Sequence, residues 1–132
     1  MQDSAETSIL KWYGYITEIL IMKQLTSADS LDDLLSQHEY SLLFFSASWC
    51  APCKAMTPVV LAVSSMMGER LNTIKLDVDS SASSAEEYGI RSVPTLILVK
   101  NDEIIAQQVG GLPPSQLMQW LEQNTYYKQE DL

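Results

Sequence analysis

Leu42-Leu43-Phe44-Phe45-Ser46-Ala47-Ser48-Trp49-Cys50-Ala51-Pro52-Cys53 decides the fold, because it carries an apolar run straight into both cysteines of the chain. The run reads as a central strand covered on both faces, and the cysteines as the opening of a helix. A helix starting near Cys50 places that sulfur among unpaired backbone N–H groups at the positive end of the helix dipole, where a thiolate is stabilised. Cys50 is therefore the expected nucleophile. Cys53, one turn further on, lies on the same side and within disulfide reach, so it can attack a mixed disulfide formed on Cys50 and release the substrate.

Two other uses of paired cysteines are open to the same residues. A structural zinc site takes about four ligands, whereas the chain offers Cys50, Cys53 and the single histidine His38, so two chains would have to share the metal. No metal site is expected. A purely structural bridge would close a loop so short that it restrains the unfolded chain very little. A C-x-x-C between a strand and a helix points instead to thiol chemistry.

Working outward, Lys23 to Leu25 reads as a short strand, followed by a helix with Thr26 and Ser27 as candidate caps and Leu31, Leu34 and Leu35 on its inner face. Past the cysteines, Met56, Val59, Val60 and Val63 recur inward on a helix that Pro58 should bend. Met66-Met67 reads as packing at its end. Thr73 to Val78 is the next strand and Ala82 to Tyr88 a short helix stopped by Gly89. Thr95 to Val99 and Ile104 to Val109 form a hairpin turning at Asn101-Asp102, and Ser115 to Gln123 a last helix with Leu117, Trp120 and Leu121 inward. Strands and helices in this order make an α/β protein, a central mixed sheet flanked by helices on both faces.

From about Met22 to Asn124 the chain resembles the thioredoxin family. Trp49 to Lys54 matches its Trp-Cys-x-Pro-Cys-Lys core, with Ala51 where most members carry glycine. Pro58, Lys75, Asp79, the segment Tyr88-Gly89-Ile90-Arg91-Ser92-Val93-Pro94-Thr95 and the loop Val109-Gly110-Gly111 follow in the family's order. The resemblance implies the thioredoxin fold and a redox-active disulfide between Cys50 and Cys53, with Trp49, Ala51, Pro52, Lys75 and Pro94 supporting the site. It also implies a cis Val93-Pro94 bond opposite the cysteines and a substrate-binding rim of Trp49, Ser92, Val93 and Gly110. Disulfide-containing protein substrates and an electron donor such as a thioredoxin reductase are the implied partners, with no cofactor.

The departures lie behind the second cysteine. The family usually carries a buried aspartate six residues before the first cysteine, where it assists proton transfer at the second; this chain has Phe44 there, and Ser46 where a tryptophan commonly follows. Lys75 holds the position of the lysine that partners the missing acid. An unpaired ammonium in a core is costly, so Lys75 is expected to reach solvent, find another carboxylate or lower its pKa. Water or a neutral Lys75 could serve Cys53 in place of the acid.

Length and composition fit one domain: 132 residues, 46% hydrophobic, can enclose a single substantial core. The formal net charge of -9 excludes a basic stripe for nucleic acid and disfavours anionic membranes. Two cysteines without a framework of further pairs suit a reducing compartment, here taken as the cytoplasm. Neither a secretory signal nor a membrane span is expected.

The domain is expected over 22–125, preceded by a helical extension, 1–21, and followed by a short acidic tail, 126–132. Ile9, Trp12, Tyr13, Ile16, Ile19 and Leu20 recur at helical spacing with Lys11 and Glu18 toward water. This extra helix is outside the family pattern, and reads either as an appendage or as an upstream extension of the reading frame. Its stripe needs cover, from the domain itself, from a second copy in a dimer, or from a partner; a monomer is the simpler expectation. The function expected is thiol-disulfide exchange with proteins. The competing class is a binding module or co-chaperone that uses the apolar face and the extra helix to hold a partner, with weak or vestigial redox activity.

Overall fold

The computed structural model describes residues 21–125; the expected helix within 1–21 and the acidic tail 126–132 lie outside the described residues. Five strands form one sheet in the order β1-β3-β2-β4-β5: β1 (Met22–Gln24), β2 (Tyr40–Ser46), β3 (Asn72–Asp77), β4 (Thr95–Lys100) and β5 (Glu103–Val109). β1 and β2 run parallel to β3, while β4 is antiparallel to both β2 and β5. The helices are α1 (Leu31–Ser36), α2 (Ala51–Met67), α3 (Ala82–Glu87) and α4 (Pro114–Asn124). This is the mixed sheet with helices on both faces that the alternating pattern predicts.

β2 is the spine of the molecule, and every residue from Tyr40 to Ser46 is buried. Alternation along a strand sends its side chains to opposite faces, so Leu42 and Phe44 join Met56, Val60 and Val63 of α2 and Leu117 and Leu121 of α4 in one core. Leu43 and Phe45 enter a second core with Leu35 of α1, Ala85 of α3, Ile74 and Ile97. Phe45 and Tyr88 meet there with ring centroids 5.9 Å apart. The hairpin turns at Asn101 and Asp102, both at positive φ, as that dipeptide favours.

Two local expectations are corrected. The cap of α1 is Ser30, whose hydroxyl accepts from the Asp33 N–H at 3.3 Å. Thr26 is instead taken up by Asp29, which accepts from both its N–H (2.8 Å) and its hydroxyl (2.9 Å), so a separate turn precedes the helix. At the end of α2 only Met67 packs: it is 2% exposed, whereas Met66 is 69% exposed. Neighbouring helical residues point about 100° apart, so one methionine enters the core and the other leaves it.

Candidate active site

The site is assembled where β2 ends and α2 begins. Cys50 is the N-cap of α2, in extended conformation, with its N–H bonded to the Ala47 carbonyl at 3.2 Å. The Cys53 N–H donates to Cys50 Sγ at 3.2 Å. A free helix-terminal amide is thus aimed at the sulfur, as the sequence reading requires, and Ala51 and Pro52 supply the first turn. Cys50 and Cys53 are joined as a disulfide with Cα atoms 5.3 Å apart. Cys53 is fully buried and Cys50 is 5% exposed.

The cis Val93-Pro94 bond implied by the resemblance is present, and the Val93 carbonyl oxygen lies 3.8 Å from Cys50 Sγ. Thr95 Oγ1 donates to the Ser92 carbonyl at 2.7 Å, and the Gly110 N–H to the Pro94 carbonyl at 2.9 Å, tying the proline segment to the loop after β5. Gly110 has φ 87°, a backbone conformation that favours glycine, and nothing stands within 4 Å of where its Cβ would be. Trp49, next to Cys50 in the chain, is 68% exposed.

Asp79 holds that indole: Trp49 Nε1 donates to Asp79 Oδ2 at 2.8 Å. The carboxylate is placed by the turn that ends β3, where Asp77 Oδ1 accepts the N–H groups of Asp79 (2.8 Å) and Ser80 (3.1 Å). Sequence reading placed Asp79 beyond the strand but assigned it no contact, since nothing local marks a bond across 30 residues.

Behind the disulfide the chemistry changes. Parallel register pairs Phe44 of β2 with Lys75 of β3, so both project toward α2. Phe44 is completely buried, and Lys75 Nζ stands 5.7 Å from the centre of its ring. The ammonium donates to Thr57 Oγ1 at 3.3 Å, and that hydroxyl donates to the Cys53 carbonyl at 3.0 Å. Lys75 thus finds a hydroxyl and an aromatic face; among the described residues it makes no ion pair. It also reaches an open cleft of about 570 Å³ shared with Ser46, Ser48, Lys54 and Thr57. Thr57, one turn after Cys53 on the same face of α2, was missed in the sequence, although its spacing of four from Cys53 is a readable signal.

No group of three or more His, Cys, Asp or Glu side chains among the described residues could hold a metal ion. The arrangement is that of a disulfide exchange centre: one sulfur accepts a helix-terminal amide and is slightly exposed, the other is fully enclosed.

Comparison with known proteins agrees. The thioredoxin family model matches residues 22–123. Thioredoxin C-2 of Corynebacterium nephridii is 40% identical over 92 residues, covering 70% of this chain and 85% of its own length. Thioredoxin of Haemophilus influenzae is 39% identical over 83 residues, covering 63% of this chain and 78% of its own. A mutant thioredoxin from Halobacterium salinarum NRC-1 superposes with a TM-score of 0.71 at 32% identity, covering 79% of this chain and 90% of that one. The chain belongs to the thioredoxin family, and with its paired Cys50 and Cys53 it is a protein-disulfide oxidoreductase.

Proposed function

We propose that Cys50 is the attacking sulfur and Cys53 the resolving one in a dithiol reductase of disulfide-bonded proteins. The observation that carries this reading is the Cys53 N–H directed at Cys50 Sγ at the start of α2, which favours the anionic form of that sulfur over its buried neighbour. In the reduced protein the Cys50 thiolate attacks one sulfur of the substrate disulfide. A Cys50–substrate bond forms, the substrate bond breaks, and the departing sulfur leaves as thiolate. Cys53 then gives up its proton and attacks Cys50 Sγ, closing the internal disulfide and expelling the second substrate thiolate. Two electrons have passed to the substrate, whose thiolates take up two protons.

The substrate segment lies across Trp49, Ser92, Val93 and Gly110 in extended form. The Val93 N–H has no partner among the described residues, which leaves it open to strand-like pairing, and Pro94 holds that segment against the disulfide. With Phe44 in place of an acid, the Cys53 proton leaves to water in the cleft of Ser46, Thr57 and Lys75. An external donor such as a thioredoxin reductase returns the electrons. Residues 22–125 form the catalytic unit, which works as a monomer in the cytoplasm. No helix of the described residues is long and apolar enough to cross a membrane, and the absence of further cysteines suits a reducing compartment.

Turnover of a disulfide-bonded protein with a dithiol reductant tests this reading. Catalysis above the uncatalysed dithiol rate is expected, together with faster alkylation of Cys50 than of Cys53 in the reduced protein. Preferential labelling of Cys53 would reverse the two roles, and no catalysis would remove the reductase assignment.

A further inference from the structure

The net charge of -9 is not spread evenly over the fold. β2 and β3 run toward Cys50 and β4 runs away from it, so the far end of the sheet holds Glu39 before β2, Glu69 after α2, and Asp102 and Glu103 at the β4–β5 turn. Arg70 and Lys100 share that end, Lys100 with its ammonium over the Tyr40 ring. The disulfide end is different. Lys54 follows Cys53 in the first turn of α2, and Arg91 precedes Ser92 and Val93; both cations are exposed. They belong to the two segments that meet where the Val93 carbonyl approaches Cys50 Sγ. Lys54 also shares the cleft of Lys75, whose acids are Asp77 and Asp79. Both carboxylates are engaged, Asp77 by the N–H groups of Asp79 and Ser80, Asp79 by the Trp49 indole. Lys54, Lys75 and Arg91 make no ion pair among the described residues.

We propose that this protein selects disulfides flanked by acidic side chains, with Lys54 and Arg91 receiving carboxylates beside the substrate cysteine, a preference that rests on the substrate path across Trp49, Ser92, Val93 and Gly110 proposed above. Uncommitted cations stand at the end where the substrate disulfide must arrive, and the far end of the sheet carries more acids than cations. A charge distribution polarised in this way turns an acidic partner toward the disulfide end and repels it from the other. Each exposed pair changes affinity by no more than about fivefold, so two together give a graded preference over neutral or basic sequences.

The test uses the full chain with dithiothreitol as reductant and two peptides, each holding one disulfide, its cysteines flanked by glutamates in one peptide and by lysines in the other. Each kcat/KM is divided by the uncatalysed rate of the same peptide with dithiothreitol, which removes the intrinsic reactivity of the disulfide. At about 0.01 M salt the acidic peptide should be favoured by about fivefold to twentyfold, and the ratio should shrink toward one at about 1 M salt, where charges are screened within a few ångströms. Lys54→Glu and Arg91→Glu should each lower the low-salt ratio, and the double variant should bring it to one or below. Because the ratio is taken within one protein, a general loss of activity cancels. A wild-type ratio of one, a ratio indifferent to salt, or a ratio that both variants leave untouched would overturn the proposal and leave the reductase reading standing. Reduction of neither peptide would remove that reading and the proposal with it.

Discussion

The two sulfurs of one disulfide stand in unlike surroundings. Around Cys50 the chain has the helix amide, the cis proline, Gly110 and the Trp49 indole, here latched by Asp79, and departs from the family pattern at Ala51. Around Cys53 it keeps the fold and changes the chemistry, with Phe44 and Ser46 in the strand, Thr57 on the helix and Lys75 donating to a hydroxyl. Capturing a substrate and releasing it are thus separable problems. In the roles proposed above, geometry at the helix terminus serves the first, and the groups behind the helix serve the second.

Removing either sulfur draws the distinction most strongly. Cys50→Ser should lower turnover on the order of a thousandfold or more, since the nucleophile is gone, and it should form no adduct. Cys53→Ser should lose turnover as fully while accumulating a reducible Cys50–substrate adduct, because attack proceeds and nothing resolves it. Non-reducing electrophoresis with mass spectrometry distinguishes the two. An adduct on Cys53 in the Cys50→Ser protein would show that the sulfurs share the attacking role.

Restoring an acid behind Cys53 is the next largest perturbation. In Phe44→Asp the carboxylate would project from β2 toward α2 beside Lys75 of β3, where it can pair with the ammonium and accept a proton. Resolution of the mixed disulfide should accelerate by roughly tenfold to a hundredfold, with substrate capture unchanged. Loss of a fully buried ring costs about 3 to 5 kcal/mol before any gain from pairing, so the variant's unfolding must be followed in parallel. A folded Phe44→Asp whose resolving step is no faster in stopped flow would mean that solvent already removes the proton efficiently.

How much of this was legible in the sequence follows the range of the interactions. The strand-helix alternation, the cap position of Cys50 and the hairpin at Asn101-Asp102 are written in short windows, and the structure agrees with them. Ser30 was passed over as a cap because Thr26, Ser27 and Ser30 all carry hydroxyls; Asp29 claims Thr26, and that competition is settled by geometry. The Asp79 latch and the Lys75-Thr57-Cys53 chain cross between elements, so only the register of β2 against β3 and the seat of α2 on the sheet bring them together. The missing acid was visible, whereas what occupies its surroundings was not.

Thr57→Val sharpens the comparison at smaller amplitude. The change conserves shape and removes both the acceptor of Lys75 and the donor to the Cys53 carbonyl. A hydrogen bond of this kind contributes about 1 kcal/mol net, so the urea midpoint of the oxidised protein should fall modestly. Resolution should change by no more than about fivefold, the factor that corresponds to such an energy, and alkylation of Cys50 should not change. An effect of similar size on the capture step would break the separation of the two sides, because Thr57 would then be acting on Cys50 through the first turns of α2.

The smallest expected effect belongs to the opposite face of the sheet and guards any pH profile of the two cysteines. Burial beside Phe45 pushes the Tyr88 phenol above its ordinary value of 10.0, with the carboxylates of Glu87, Asp32 and Asp102 acting in the same direction. The folded state therefore holds the proton more tightly than the unfolded state. Tyr88's contribution to stability is fully present below about pH 10 and is lost as pH rises through the higher folded value. The range from pH 6 to about 9 lies below this window, so a resolving rate followed across it should be the same in wild type and Tyr88→Phe. Urea midpoints compared between the two proteins at successive pH values cancel the titrations they share. Wild type should lose stability relative to Tyr88→Phe only above about pH 10. Parallel curves across that window would show that the phenol ionises without strain in the fold, and a rate difference below it would mean that the second core reaches the disulfide.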